Sequence, residues 1–98
     1  MRIKKNDIDV IKSATASVFG GEAKVYLFGS RTDDNKKGGD IDLYIETNPD
    51  KNLIKRKLEM LKILHTKLGE QKIDIIINDN TSADKYIYTV ARNEGIAL

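Results

Sequence analysis

The fold is decided by two neighbouring stretches, Val25-Tyr26-Leu27-Phe28-Gly29-Ser30-Arg31 and Gly39-Asp40-Ile41-Asp42-Leu43-Tyr44-Ile45. The first is apolar until it ends in Gly-Ser, which predicts a largely buried strand over residues 23–28. The second alternates between apolar and polar residues, which predicts a strand over residues 40–46 with a core face and a polar face. Its side chains divide between these faces, with Ile41, Leu43 and Ile45 on the core face and Asp40, Asp42, Tyr44 and Glu46 on the polar face.

The length and composition are typical of one small globular domain. The chain has 98 residues, 33% of them charged and 40% hydrophobic, so we expect a single domain over residues 1–98. It has no apolar run long enough to span a membrane, no signal-peptide core and no cysteine, so we expect a cytoplasmic protein without disulfides. The formal charge of +2 is too small to support direct nucleic-acid binding.

Helical patterns surround the two strands. Apolar residues at helical spacing, capping residues and closing glycines predict three helices. They run from Asn6 or Asp7 to about Phe19, from Asn48-Pro49 to about Leu68, and from Ser82 or Ala83 to about Asn93. We expect the second helix to bury one stripe, formed by Ile54, Leu58, Leu61, Leu64 and Leu68. A third strand is predicted over residues 72–78 and a short edge strand over residues 96–98.

The predicted order of elements is α-β-β-α-β-α. Three or more strands with helices packed mainly on one face make a small α/β (α+β) fold with a mixed sheet. The long helix between the second and third strands permits a crossover between parallel strands, although the sequence alone leaves the strand directions open.

Three aspartates are the candidate catalytic and metal-binding residues. Asp40 and Asp42 lie two residues apart on one strand and therefore face the same way. A solvated strand face would explain them, but like charges on one face repel each other, and Mg²⁺ or Mn²⁺ would remove that repulsion. Asp74 interrupts an isoleucine run that is typical of a central strand, where we expect a buried carboxylate to need a partner. That partner is a basic side chain, a metal ion or the proton of a nucleophile.

Gly29 and Ser30 follow the first predicted strand directly. A glycine at this point lets the backbone approach a ligand, and a serine at the start of a helical turn offers N–H groups and a hydroxyl to an anion. Taken alone, Gly-Ser is an ordinary turn. Arg31 is placed either to pair with an acid or to contact a phosphate, and His65 fits a structural or surface role within the second helix.

Together these residues carry a family resemblance. Gly29-Ser30-Arg31, a spacer and Asp40-Ile41-Asp42-Leu43 resemble the Gly-Ser…Asp-x-Asp signature of the polymerase-beta-type nucleotidyltransferase superfamily, which places a third carboxylate where Asp74 stands. The chain is similar to that superfamily's smallest members, the minimal nucleotidyltransferases, often encoded beside a HEPN-domain protein in toxin–antitoxin pairs. One departure is Gly39, because many relatives have serine before the first aspartate.

The resemblance implies a polymerase-beta-like nucleotidyltransferase fold and transfer of AMP from ATP to a hydroxyl, with Mg²⁺ or Mn²⁺ as cofactor. The acceptor it implies is a tyrosine of a HEPN-family toxin, with this chain as antitoxin. It also implies two sets of site residues: Gly29, Ser30 and Arg31 for the nucleotide, and Asp40, Asp42 and Asp74 for metal binding and catalysis. The alternatives are a non-catalytic antitoxin that neutralises its partner by binding, and nucleotidyl transfer to a small molecule.

Overall fold

The computed structural model of the chain describes residues 4–28, 41–49, 51–69, 72–80 and 86–98. Within these ranges lie three helices, α1 Lys5–Phe19, α2 Leu53–Leu68 and α3 Tyr86–Glu94. The strands are β1 Lys24–Phe28, β2 Ile41–Glu46, β3 Ile73–Asn78 and β4 Ile96–Ala97. This is the predicted order of elements, including the short last strand.

The four strands form one mixed sheet in the order β3-β2-β1-β4. β1 is antiparallel to both β2 and β4, whereas β2 and β3 are parallel. Parallel neighbours need a crossover connection, and α2 supplies it. The mixed sheet that the sequence predicts is therefore confirmed, with β3 and β4 at the edges of the described sheet.

One face of the sheet forms the main core beneath α1 and α2. The buried side chains of this core are Val25, Leu27, Ile41, Leu43, Ile45, Ile73 and Ile75 from the sheet, with Ile11, Ala14, Val18, Met60 and Leu64 from the two helices. Full burial of a large apolar side chain stabilises a protein by about 1.5–3 kcal/mol. This face is therefore the main source of the fold's stability.

The opposite face carries a smaller core beneath α3, which contacts β1 and β2. Tyr44 and Tyr88 are buried there, and Tyr26, Phe28 and Ile76 pack against them. Two helices thus lie on one face and the third on the other. The expectation of a simply polar second face on β2 is wrong at Tyr44, because α3 covers that position.

Two glycines at helix ends, Gly20 after α1 and Gly69 after α2, have the positive φ values that favour glycine. Gly20 has φ 101° and donates its N–H to the Ala16 carbonyl, and Gly69 has φ 85° and donates to the His65 carbonyl. Residues with a side chain rarely adopt such φ values, so these glycines end α1 and α2 at little conformational cost.

The predicted starts of α1 and α2 are wrong, whereas the predicted start of α3, at Ser82 or Ala83, lies outside the described residues. α1 begins at Lys5, so Asn6 and Asp7 lie inside it, and its N-cap Lys4 makes no side-chain capping bond. α2 begins at Leu53 and not at Asn48-Pro49. The reason is that Thr47 N–H still donates to the Asn78 carbonyl at 3.0 Å, which extends the β2–β3 ladder beyond β2. A hydrogen bond between residues that are far apart in the chain thus shifts the start of α2 towards the C-terminus.

The predicted buried stripe of α2 is also wrong in its first half. Ile54 is 79% exposed and Leu58 is 61% exposed, whereas Met60 and Leu64 are fully buried. At 3.6 residues per turn, Ile54 and Leu58 lie about 80° and 120° around the helix from Leu64. They therefore face away from the sheet.

No helix within the described ranges is long and apolar enough to cross a lipid bilayer.

Candidate active site

Strand pairing brings two of the three predicted carboxylates together. Asp42 of β2 is in register with Asp74 of the parallel strand β3, and with Phe28 of β1 on its other side. Side chains in register on neighbouring strands share a face, and such strands lie about 4.8 Å apart. Asp42 and Asp74 are therefore neighbours on the face that α3 covers further along, at the end of the sheet where β1 stops and β2 begins.

Asp74 is exposed and Asp42 is half-buried. The expectation that Asp74 is buried in a central strand is wrong, since β3 is an edge strand of the described sheet. The apolar residues beside it, Ile73 and Ile75, face the main core instead. A solvent-exposed carboxylate avoids the desolvation cost of a buried one and is accessible to a cation or a reactant.

The remaining predicted site residues, Gly29, Ser30, Arg31 and Asp40, lie outside the described residues. Their positions in the chain are still informative, because Gly29 directly follows Phe28 and Asp40 directly precedes Ile41. Phe28 is the register partner of Asp42. Phe28 and Ile41 therefore both lie at the end of the sheet that carries the two aspartates.

A row of aromatic side chains lies next to the aspartates on the same face. Tyr26 and Tyr44 are register partners on β1 and β2, and their ring centroids are 5.6 Å apart. The ring of Tyr88 from α3 lies 5.7 Å from that of Tyr44. Tilted aromatic pairs at this distance are favourable beyond the area they bury. This row packs β2 against α3 at Tyr44, which lies two residues after Asp42 on the same face of the strand.

A hydrogen-bonded network follows at the far end of that face. Glu46 accepts bonds from the hydroxyls of Tyr44 at 3.0 Å and Tyr26 at 3.3 Å. The buried side chain of Asn78 donates its Nδ2–H to the Tyr44 hydroxyl at 3.0 Å. Its Oδ1 accepts the backbone N–H of Asn80, also at 3.0 Å. Both ends of the Asn78 amide are thus bonded, and this fixes its orientation.

Sequence reasoning missed the role of Glu46 and Asn78. The available signal was the period-two spacing of Asp42, Tyr44 and Glu46, because a tyrosine between two acids offers a hydroxyl to one of them. In the structure that acid is Glu46, so this carboxylate stabilises the fold. Asp42 and Asp74 remain the two carboxylates of the candidate site.

The two aspartates also suit a divalent cation. Carboxylate oxygens are the ligands that Mg²⁺ and Mn²⁺ prefer, and one or two carboxylates together with substrate phosphates are the usual set. No group of three His, Cys, Asp or Glu side chains capable of holding a metal occurs among the described residues. Asp42 and Asp74 fit part of such a set, and Asp40 is the residue that the sequence predicts to complete it.

A hollow of about 500 Å³ lies away from this pair, between α1 and α2. Its lining residues are Asp9, Val10, Ser13, Ala14, Ser17, Ile63 and Lys67. The helices around it cover the opposite face of the sheet from Asp42 and Asp74. Volume alone assigns no chemistry, so we place the candidate site at the two aspartates.

The chain matches a known protein family over most of its length. The family model of the nucleotidyltransferase domain matches residues 8–98, which include almost all of α1 and every later element. The expected polymerase-beta-like fold is confirmed, because the family match coincides with a mixed four-stranded sheet and three helices. No curated protein matches the chain at a significant level.

Proposed function

We propose, from the premise that the chain belongs to the family of nucleotidyltransferase domains, that it transfers AMP from ATP to a tyrosine hydroxyl of a partner protein. Membership of the family makes it a transferase of nucleotidyl groups. The donor, the acceptor and dependence on Mg²⁺ or Mn²⁺ are parts of the proposal. The partner we propose is a HEPN-family toxin, with this chain as its antitoxin, and the support for it is the resemblance carried by the Gly-Ser and Asp-x-Asp motifs.

The observation that carries the proposal is the register of Asp42 with Asp74. In the reaction, the acceptor oxygen forms a bond to the α-phosphorus, the bond to the bridging β-oxygen breaks, and pyrophosphate leaves. The acceptor hydroxyl must lose its proton, and we assign its acceptance to the carboxylate of Asp74, whose exposure supports this role. Asp42 lies on β2, the strand between β3 and β1, and we assign to it the orientation of the reacting groups.

Asp40, Asp42 and Asp74 would hold the divalent cation. When bound, it supplies charge neutralisation at the attacking and leaving oxygens. Gly29, Ser30 and Arg31 are proposed to bind the nucleotide phosphates, because they follow the strand that ends beside Asp42. A glycine there allows close backbone approach, and N–H groups at such a turn favour an anion.

The exposure of Asp74 also bears on the acceptor. A small-molecule acceptor usually needs a concave site that encloses most of its surface. Asp74 instead lies exposed on an edge strand of the described sheet. A hydroxyl presented by a macromolecule can reach such a carboxylate directly, so this geometry favours a protein tyrosine over a small molecule.

The proposal is tested by incubating the chain with labelled ATP, Mg²⁺ and the folded protein encoded beside it. We expect the partner to become labelled, and Asp42→Asn and Asp74→Asn each to lower kcat/KM by about 10²- to 10⁴-fold. Asp9→Asn is the matched control, since Asp9 is an exposed aspartate on α1, and it should leave the rate unchanged.

Three outcomes would contradict the proposal. Equal labelling of the partner by the wild type and by Asp42→Asn would show that transfer does not require the Asp42 carboxylate. Neutralisation of the partner by a folded Asp42→Asn/Asp74→Asn variant, without any labelling, would indicate an antitoxin that acts by binding alone. Labelling of an added small molecule instead of the protein would assign a different acceptor.

A further inference from the structure

The surface of α2 carries an exposed apolar pair that the core does not use. Ile54 and Leu58 are the two most exposed large hydrophobic residues within the described part of the chain, at 79% and 61%. They are four residues apart on one helix, so their side chains are neighbours on the same flank. We call this pair the α2 patch. Half-buried Leu61 is three residues beyond Leu58 and extends the patch towards the core.

Exposed lysines border the α2 patch. Lys51 precedes Ile54 by three residues, Lys55 precedes Leu58 by three, and Lys62 follows Leu58 by four. α2 as a whole contains five Lys and Arg residues and a single acid, Glu59. The formal charge of the entire chain is only +2. The positive excess is therefore concentrated in α2, and the remainder of the chain is acidic on balance.

We infer that the α2 patch binds an acidic amphipathic helix of a partner protein. Stable interfaces combine an apolar centre with a polar rim, and helices dock through apolar residues at spacings of three and four. Two side chains supply far less than the ~800 Å² per partner of a standard interface. The lysine rim must therefore take part, and its charge selects an acidic occupant.

The charge of this surface disfavours the two other occupants. A second copy of the chain related by two-fold symmetry would bring the same lysines face to face, and like charges repel across such a contact. A nucleic acid would bind the lysines through its phosphates, but it would gain little from Ile54 and Leu58. An acidic helix with an apolar face complements both parts of the surface.

This inference is independent of nucleotidyl transfer. Met60 and Leu64 of α2 pack on the sheet face opposite to the one that carries Asp42 and Asp74. An occupant of the α2 patch therefore leaves the aspartates accessible. Its binding can be measured without ATP, so failure of either proposal leaves the other standing.

The test uses two synthetic helical peptides that share one leucine face and differ in having Glu or Lys beside it. We expect the full chain to bind the Glu peptide at least about tenfold more tightly, which corresponds to ~1.4 kcal/mol. Ile54→Ser/Leu58→Ser should weaken that binding at least tenfold, and Lys55→Glu/Lys62→Glu should reverse the preference. Lys12→Glu, on the exposed surface of α1, is the matched control for charge and should leave it unchanged.

Circular dichroism and thermal unfolding show whether the variants are folded, and surface changes of this kind rarely alter stability much. Equal binding of both peptides, binding of neither, or binding that survives Ile54→Ser/Leu58→Ser would overturn the inference. A dimer in sedimentation that Leu58→Ser dissociates would assign the α2 patch to a second copy. Binding of a single-stranded oligonucleotide that depends on the lysines but not on Ile54 and Leu58 would assign it to nucleic acid.

Discussion

One face of β2 presents only isoleucine and leucine to α1 and α2, and these side chains are almost completely buried. The other face presents an aspartate, a tyrosine and a glutamate in succession, in three different environments. Asp42 is half-buried beside exposed Asp74, Tyr44 is buried under α3, and Glu46 is hydrogen-bonded by two tyrosines. The first face is uniform and supplies stability, whereas the second changes along the strand and carries the two aspartates of the candidate site at one end.

The difference depends on the period of two in a strand. Because neighbouring residues face opposite ways, the chain can place Leu43 in the main core and Asp42 near the surface. The six residues Ile41–Glu46 can therefore bury apolar side chains on one face and keep carboxylates near the surface on the other. If this division is correct, substitutions at adjacent positions of β2 will affect different properties.

The largest effect is expected on the apolar face. Leu43→Ala should lower the free energy of unfolding by about 2–5 kcal/mol, because the residue is fully buried and its truncation leaves a cavity. This is a large fraction of the roughly 5–15 kcal/mol by which small domains are stable. Urea unfolding measures the change as a shift of the midpoint at constant slope.

The neighbouring Asp42→Asn is the control for this prediction. Asp42 is half-buried at the end of the sheet, so the substitution should change the free energy of unfolding by less than about 1 kcal/mol. It should still lower kcat/KM for transfer by about 10²- to 10⁴-fold. Equal destabilisation by the two substitutions would show that the faces of β2 are not divided as the structure indicates.

An intermediate effect is expected in the middle of the second face. Tyr44→Phe keeps the ring packing but removes the hydroxyl that donates to Glu46 and accepts from Asn78. A buried amide that loses its partner costs about 1–3 kcal/mol, so the free energy of unfolding should fall by that amount. Tyr88→Phe removes the hydrogen bond of 3.3 Å to the Ile77 carbonyl and should cost about 0.5–1.5 kcal/mol.

Thermal unfolding of the two tyrosine variants provides the comparison. A smaller loss for Tyr44→Phe than for Tyr88→Phe would mean that the Glu46–Asn78 network contributes little to stability. The second face would then be held mainly by the packing of aromatic rings. Transfer activity should persist in both variants, because neither hydroxyl belongs to the proposed catalytic pair.

The sequence predicts elements better than it predicts their ends and their burial. Strand positions follow from local patterns, which are apolar runs in β1 and β3 and alternation in β2. All three strands begin within one residue of the predicted positions and end where predicted. The start of α2 depends on the bond between Thr47 and Asn78, which are far apart in the chain. The exposure of Ile54 depends on how α2 is rotated against the sheet, and helical spacing alone does not determine that rotation.

The candidate site is predictable to a similar extent. Asp42 and Asp74 are identifiable from residue type, but their adjacency requires the parallel pairing of β2 with β3, and the sequence alone leaves the strand directions open. The exposure of Asp74 follows from the position of β3 at an edge of the described sheet, and an isoleucine run does not indicate it. Asn78 acts through a bond between strands, which no local motif reveals, whereas the spacing of Tyr44 and Glu46 is a local signal for the bond within β2. The roles of Gly29, Ser30, Arg31 and Asp40 stay predictions.

The smallest effect on the free energy of unfolding is expected at the aspartates when divalent cations are absent. Its sign should change when they are added. Like charges directly opposite on neighbouring strands destabilise a sheet, and at an exposed position the cost is at the low end of about 0.2–1 kcal/mol. Without divalent cations, Asp74→Asn should therefore raise the free energy of unfolding by a few tenths of a kcal/mol. A cation bound between the carboxylates stabilises the folded chain by mass action, by about 1.4 kcal/mol at ten times its dissociation constant.

Thermal unfolding with and without Mg²⁺ should therefore reverse the order of stability of the wild type and Asp74→Asn. Asp74→Asn should be slightly more stable than the wild type in chelator and less stable in Mg²⁺, because the substitution removes both the repulsion and a ligand. Asp9→Asn, remote on α1, should follow the wild type in both conditions. An equal response of wild type and Asp74→Asn to Mg²⁺ would mean that Asp74 is not a metal ligand. Its exposed carboxylate would then act on the acceptor proton alone, and the pair would divide into one metal ligand and one base.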